Sequence, residues 1–294
     1  MTSGVTTTGS LSDSLPVVID AARTIREFPG QVPKLAERHT LPEGTGLSWD
    51  EVELAQMTAQ GITETTILEN AQEFSDTLRS VTPTVTGITT IVTDRTYRRI
   101  SKNVVAQMGK LAMEAIERKR DEDGIATFDG ATNSQPGANT TLTSGVISAA
   151  VSNITGNTTE GADGPLNFVP HPFQLKDIQD EVTAGIGSYN VPEGISEEFF
   201  RKGFMGTLFG ANVFWDGNIS IDSASDAKGG VFAKKGLLYI QGHSPRTEPK
   251  RRPEYGGGAD QMFLYDEYTF AERRPASTSV WIWEIYSDAT APTN

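Results

Sequence analysis

The chain contains no cysteine and only three histidines among its 294 residues. Without thiols there is no disulfide, no thiolate metal site and no cysteine nucleophile. The compartment stays open, because a lack of cysteine fits a reducing cytosol without requiring one. No uncharged apolar run approaches the ~18–20 residues of a membrane-spanning helix. The leading MTSGVTTTGSLSDSLP lacks the basic and apolar blocks of a signal peptide, so a soluble, unsecreted protein is expected. The Asn-x-Ser/Thr sites at Asn139, Asn153, Asn157 and Asn218 then mark polar loops only. Basic residues are scarce as well: 25 Lys and Arg against 38 Asp and Glu leave a net charge of −13. Such a surface repels phosphate backbones, which argues against a dedicated nucleic-acid reader unless charge segregates.

Catalytic patterns are missing too. There is no G-x-S-x-G elbow and no G-x-x-x-x-G-K-[ST] phosphate loop. Gly256, Gly257 and Gly258 precede a strand pattern, not a helix, and read as a flexible turn. His39 lies in a proline-rich stretch, His171 caps a helix and His243 starts a basic loop; none has a base or ligand spaced to meet it. Asp216, Asn218, Ser220 and Asp222 alternate like the start of a calcium loop. Ile221 stands where an EF-hand needs Gly, and Ala227 where it needs Glu, so a solvated turn is expected. Acid pairs such as Glu197 and Glu198 are ordinary in an acidic chain. The expectation is no catalytic residue, no metal ligand and no cofactor.

What is present is an order of parts. A length of 294 residues favours roughly two domains. Residues 1–40 read as an arm: polar to residue 14, apolar from Leu15 to Ile25 in a short helix behind Pro16, then extended because of Pro29, Pro33 and Pro42. Residues 43–93 are rich in Thr, Ile and Val and poor in large apolar residues, as in a long two-stranded projection with polar faces. A lone hairpin is marginal in water, so it needs a partner surface. Residues 94–123 predict a long helix with Ile100, Val104, Met108, Leu111 and Ala115 on one stripe, Asp94 as N-cap and Gly124 as stop. A short helix over 144–153 follows, capped by Ser144, with Val146, Ala149 and Ala150 inward. LNFVP reads as a strand and His171-Pro172 opens a helix with Leu175, Ile178 and Val182 buried, closed by Gly185. From Gly203 the pattern is mostly β: GFMGTLFGANVFWDGNI as strand–turn–strand, VFAKKGLLYIQG as a hairpin turning near Lys235-Gly236, QMFLYDEYTFAERR as a long strand, and TSVWIWEIYSD as an inner strand or interface.

Basic residues cluster. Arg246, Lys250, Arg251 and Arg252 share one proline-broken loop, followed by Arg273 and Arg274, while Arg95, Arg98, Arg99 and Lys102 crowd the start of the long helix. These clusters fit either contact with nucleic acid or pairing with acidic surfaces of neighbouring subunits. The net charge favours the second.

This order resembles the major capsid proteins of tailed bacteriophages with the Hong Kong 97-type fold. TPTVTGITTIVTDRTYRRISKNVVAQMGKLAMEAIERKRDEDGIATF is similar to that family's strand leading into its spine helix, and FVPHPFQLKDI to its apolar–His–Pro–x–Gln signal. LFGANVFWDGNI, GGVFAKKGLLYI and FAERRPASTSVWIWEI match its later strand order; together the likeness covers roughly residues 40–287. The resemblance implies an α+β fold with an N-arm at 1–40, a β-hairpin E-loop at 41–80, a P-domain at 81–160 and 241–275 with its spine helix at about 94–123, and an A-domain at 161–240 and 276–294. It implies a structural protein, not an enzyme, that self-assembles as hexamers and pentamers into an icosahedral head enclosing double-stranded DNA. Implied partners are further copies of itself, scaffolding, portal and cement or decoration proteins, and DNA through non-specific contact, with no membrane. Implied location is the virion, assembled in the host cytoplasm. Subunit-contact candidates are Arg95, Arg98, Arg99, Arg246, Lys250, Arg251 and Arg252, with Trp49, Glu51 and Glu53 of the E-loop.

The family founder welds its shell through an E-loop lysine, but no Lys occurs here between Lys34 and Lys102, so a non-covalent shell is expected, with room for a separate cement protein. The family's cleaved scaffold region is not evident ahead of the helix, which favours a separate scaffolding protein. The alternatives are an encapsulin-like compartment shell, a virion tail or decoration protein, and an enzyme of mixed α/β fold.

Overall fold

The computed structural model describes residues 5–6, 28, 30–64, 72–99, 102–157, 160–162, 164–185, 206–273 and 281–292. Side chains of 5–6, 102–108 and 182–185 lie outside that description, as do the expected helix from Leu15 to Ile25, the stripe residues Ile100, Val104 and Met108, the Val182 side chain and the Glu197–Glu198 pair.

The strands are β1 (Val5–Thr6), β2 (Glu37–Thr40), β3 (Trp49–Leu54), β4 (Asp76–Val81), β5 (Thr84–Thr93), β6 (Ser134–Pro136), β7 (Leu166–Val169), β8 (Thr207–Leu208), β9 (Ala211–Val213), β10 (Asp226–Ala233), β11 (Leu237–Arg252), β12 (Ala259–Glu272) and β13 (Ile282–Asp288). The helices are α1 (Val32–Leu35), α2 (Asp94–Arg99), α3 (Lys102–Asp129), α4 (Ser144–Thr155) and α5 (Pro172–Gly185). Three sheets result: a five-stranded one in the order β1-β5-β12-β11-β2, a six-stranded one in the order β6-β13-β10-β7-β9-β8, and the hairpin β3-β4. The expected two-stranded projection is therefore only β3 and β4. Its presumed continuation, β5, pairs along its length with β12 in the five-stranded sheet.

The six-stranded sheet is covered on both faces. On one, α4 and α5 bury Ile147, Ile154, Leu175 and Ile178 against Phe168, Val231 and Ile285. On the other, the end of α3 buries Ile125 and Phe128 against Phe232 and Ile282. This is why β7 and β10 are buried almost continuously along their length instead of on alternate residues. Phe128 stacks on Phe232 with ring centroids 5.0 Å apart, and a Cβ at Gly230 would lie 2.8 Å from the Phe128 ring. Glycine there lets the ring lie directly on the strand.

Gly124 does not stop the long helix, which runs on to Asp129, about 42 Å in all at 1.5 Å per residue. Glycine is placed there for proximity: a Cβ at 124 would come within 2.7 Å of Val32 Cγ1 and 3.3 Å of the Phe270 ring. The buried stripe among described side chains is Ile116, Asp121, Gly124, Ile125 and Phe128, whereas Leu111 is 38% exposed. The expected arm is also partly core. Val32 and Ala36 are buried, Pro33 sits in the first turn of α1, and β2 pairs in parallel with β11. Val32, Ala36 and the β2 backbone thus pack on their own chain, while Lys34, Arg38 and Thr40 face outward.

Three further expectations fail. VFAKKGLLYI is not a hairpin: β10 belongs to the six-stranded sheet and β11 to the five-stranded one. A 3-10 turn at Lys234–Gly236 carries the chain between them, held by Ala233 N–H on the Trp281 carbonyl at 2.9 Å and Arg273 N–H on the Gly236 carbonyl at 2.8 Å. Ser144 does not cap α4 either. Its N–H and hydroxyl donate to the two oxygens of Glu181 on α5, at 2.6 and 3.0 Å, so the cap comes from a neighbouring helix. Ala149, expected inward, is exposed, and Ile147, Val151 and Ile154 are buried instead.

The His-Pro-x-Gln signal resolves into a reciprocal cap. Phe173 N–H donates to His171 Nδ1 at 3.1 Å, and His171 N–H donates to Gln174 Oε1 at 2.9 Å. The accepting nitrogen requires a neutral ring, and burial lowers the His171 pKa despite the opposing charge of Asp216. Gln174 is fully buried, and its amide donates to the Ala227 carbonyl and the Ser287 hydroxyl, each at 2.8 Å. The glutamine thereby fastens α5 to β10 and β13. Gln174→Leu keeps the volume and orphans those groups, so a loss of about 2–3 kcal/mol in urea unfolding is expected; an unchanged midpoint would show that the clasp contributes nothing.

Candidate functional site

An acidic residue on the apolar stripe of a helix needs partners, because a buried carboxylate without them is costly. Asp121 occupies such a position on α3 and is fully buried, as is Asp216 in the segment after β9. Asp121 Oδ1 accepts the Val32 N–H at 3.1 Å, and Asp216 Oδ2 accepts the Gln31 N–H at 3.0 Å. Asn218 bridges the two: its side-chain amide donates to Asp121 Oδ2 at 2.8 Å and its backbone N–H to Asp216 Oδ1 at 2.9 Å. A Cβ on residue 30 would fall 2.3 Å from the Asp121 carboxyl carbon, so Gly30 lets the chain pass over it. This pair moors the leading segment to the long helix. The calcium-like string thus divides: Asp216 turns inward, and Asp222 accepts the N–H groups of Ala224 and Asp226 at 2.8 and 3.0 Å.

A second junction forms around Arg273, whose side chain is 13% exposed. Its Nη1 donates to Glu37 on β2 at 2.7 Å and to the Lys235 carbonyl at 2.8 Å, and its Nε to Glu51 on β3 at 3.0 Å. Burial alone would raise the Glu37 pKa, but the Arg273 guanidinium holds it below the ordinary range. Beside it Arg79 of β4 donates to the Glu272 carbonyl. The Glu272 carboxyl is pushed up to about 7 by burial, with Arg79 offsetting only part. Trp49 packs on His39, ring centroids 4.7 Å apart. A cleft of about 710 Å³ remains between the hairpin and α3, lined by Glu53, Thr77, Arg79, Asp123, Thr127 and Phe270. The inner face of β3–β4, with Trp49, Glu51 and Glu53, is therefore applied to its own chain.

The two basic clusters meet at one end of the five-stranded sheet. Arg251 forms a forked pair with Asp94 at the start of α2, with Nη1 2.6 Å from Oδ1, and reaches Asp260 at 2.9 Å. Asp94 N–H donates to the Gly258 carbonyl at 3.0 Å, locking the β11–β12 turn against α2. Arg252 is held by Gln261 and Glu254 at 2.6 and 2.8 Å, and Arg246 lies 3.3 Å from Glu248 and over the Tyr265 ring. Three of the four basic candidates on β11 are thus engaged within the chain, whereas Arg95, Arg98, Arg99 and Lys250 are exposed. Reversing Arg251 or Arg252 would break local pairs first and is a poor probe of subunit contact. Sequence reasoning missed Asp121 altogether, and it missed the junction roles of Asp216 and Arg273, which it had noted only as part of a polar string and a basic cluster. The available signal was an acid in phase with Ile125 and Phe128.

Comparison with known proteins rests on structure. No protein-family model matches the sequence, and no curated protein matches it. The fold is similar to a structure of Mycobacterium phage Che8 at 14% identity and TM-score 0.72, covering 92% of this chain and 95% of that one. It is similar to the capsid of cyanophage P-SCSP1u at 10% identity and TM-score 0.70, covering 97% and 96%. It is also similar to the capsid of Ralstonia phage GP4 at 12% identity and TM-score 0.66, covering 96% and 95%. Nearly the whole chain therefore adopts the mixed α+β fold seen in phage capsids.

The mooring pair sets a pH response. Burial, and then the charge of Asp216, push the Asp121 pKa up to about 7 from an ordinary 3.8. A raised carboxyl pKa stabilises the fold fully below the unfolded value; that gain is lost as pH climbs towards the folded one. Between pH 5 and 8 a loss on the order of 2–4 kcal/mol is expected from this group. Glu272 acts in the same direction, so the difference between wild type and Asp121→Asn isolates the pair. Urea unfolding at pH 5 and 8 should show a shallower pH slope in the variant, and equal slopes would reject the assignment.

Proposed function

We propose that this chain is the major capsid protein of a tailed bacteriophage, a structural protein whose copies tile as hexamers and pentamers into an icosahedral head around double-stranded DNA. The observation that carries this reading is the likeness to phage capsids over nearly the full length of the chain and of its counterparts. That likeness does not favour a cellular compartment shell, a tail protein or an enzyme.

The proposed division follows the Hong Kong 97-type plan. Residues 1–40 form the N-arm and 41–80 the E-loop; 81–160 and 241–275 form the P-domain, and 161–240 and 276–294 the A-domain. Exposure supports a role for the E-loop in assembly: Leu47, Val52, Leu54, Ile62, Phe74 and Leu78 are each at least 56% exposed. That much apolar surface on one element marks an interaction site. Weak contacts suffice, because a ~1 mM contact supplies only about −4 kcal/mol, and several neighbours at high effective concentration make a closed shell persist. Closed symmetry then limits growth. Scaffolding, portal and cement proteins and non-specific contact with DNA complete the proposed partners. The proposed location is the virion, after assembly in the host cytoplasm. No described helix is long and apolar enough to cross a membrane.

The shell is proposed to be non-covalent, because the E-loop offers no lysine between Lys34 and Lys102. Electron microscopy of the purified protein, with scaffold if needed, should show closed polyhedral shells; tubes only, or a monomer under all assembly conditions, would reject the reading. Denaturing electrophoresis of intact particles should give one monomer band, and a ladder above it would reject the non-covalent part alone.

A further inference from the structure

Charge is segregated in this chain. Residues 94–99 and 250–260 meet where α2 leaves the five-stranded sheet, and they hold six of the 25 basic residues but only three of the 38 acidic ones. All three acids are spent: Asp94 and Asp260 on Arg251, and Glu254 on Arg252. Arg95, Arg98, Arg99 and Lys250 are exposed, and among the described residues none of them forms an ion pair. The net charge of −13 therefore describes the surface as a whole and not this corner of it.

Helical spacing gathers the arginines. Arg98 and Arg99 lie three and four residues after Arg95, so all three share one side of α2, with about 5–6 Å between the Cβ of Arg95 and those of the other two. Thr96 is buried against the chain, and Tyr97, two residues from both Arg95 and Arg99, is turned away from them. The base is fixed. Thr96 N–H donates to Thr93 Oγ1 at 3.3 Å, Asp94 N–H donates to the Gly258 carbonyl at 3.0 Å, and the forked Arg251–Asp94 pair ties this end of α2 to the sheet.

We propose that the Arg95–Arg98–Arg99 side of α2 is a contact for the phosphate backbone of double-stranded DNA. The choice of DNA as the polyanion rests on the reading of the chain as the shell protein of a DNA-filled head. Charge density agrees. From Arg95 to Arg99 the helix rises ~6 Å, and the same length of duplex carries about three to four phosphate charges. A guanidinium presents planar paired donors, which suit phosphate oxygens better than a lysine point charge does. Tyr97 is turned away, so no ring stands among the arginines to stack on bases, and stacking is what single-stranded sites rely on. Backbone contact of this kind positions a duplex without reading its sequence. An acidic surface of another protein is the competing occupant, and the experiment below separates the two.

Salt titration tests this. The full-length chain is added to a labelled duplex of mixed sequence, and affinity is read by fluorescence anisotropy from about 50 to 200 mM salt. Three phosphate contacts steepen the slope of log affinity against log salt by about 2.7. Arg95→Gln with Arg98→Gln and Arg99→Gln should remove that increment, and lysine at the same three positions should keep most of it. Lys234→Gln with Lys235→Gln, exposed on the 3-10 turn, removes charge elsewhere and should leave the slope unchanged. Every substituted side chain is exposed, so thermal melts should match wild type. A glutamine variant that keeps the wild-type slope would overturn the contact, and so would a comparable flattening by the Lys234–Lys235 control. Loss of particles by the glutamine variant with its DNA slope intact would assign the arginines to another protein surface and also overturn it. A wild-type chain that shows the expected slope but never forms particles would overturn the capsid reading and leave the contact standing.

Discussion

The fold depends on covering both faces of one sheet. The six-stranded sheet exposes Phe168, Val231 and Ile285 on one side and Phe232 and Ile282 on the other, and neither side can be left in water. Helices α4 and α5 take the first. The last turns of α3 take the second, with Phe128 lying flat where Gly230 leaves room. Truncating such a phenylalanine would cost about 3–5 kcal/mol.

The same turns of α3 receive the leading segment. Gly124 admits Val32, and Asp121 with Asp216 accepts the backbone N–H groups of residues 31 and 32. Unpaired, each such N–H would cost about 1–3 kcal/mol. Two buried carboxyls side by side are themselves costly, so this mooring is tuned for placement more than for strength, and its pH sensitivity follows first from burial and then from the mutual repulsion. Arg273 plays the matching part for the hairpin, joining Glu37, Glu51 and the turn after β10 through one guanidinium. Core packing and these two junctions position the surfaces that stay uncovered.

Those surfaces are uneven. The inner face of the hairpin is used by its own chain, while the outer face keeps leucine and valine in water. An isolated domain gains nothing from such exposure, and a lattice of copies can. Solvent-facing arginines at α2 add a charge of the opposite sign.

Some of this was legible in the residues. Periodicity marked α3, α4 and α5, and the His-Pro-x-Gln spacing marked a cap, because those signals depend on neighbours three and four residues apart. The scarcity of apolar residues marked β3–β4 as unable to stand alone. The end of α3, the separation of β10 from β11 and the assignment of β5 to another sheet were not legible: each depends on a partner distant in sequence, such as Val32 over Gly124 or Trp281 beside Gly236. The basic clusters were visible as composition, but only folding showed that Asp94 and Asp260 occupy Arg251, while among the described residues Arg95, Arg98 and Arg99 are exposed and form no ion pair. Local chemistry thus determined which segments become helix, strand or turn, since those choices are made within a few residues. Tertiary structure alone decided which acids are buried, which arginines are spent and which apolar face is left over, since desolvation and pairing depend on what the rest of the chain brings alongside.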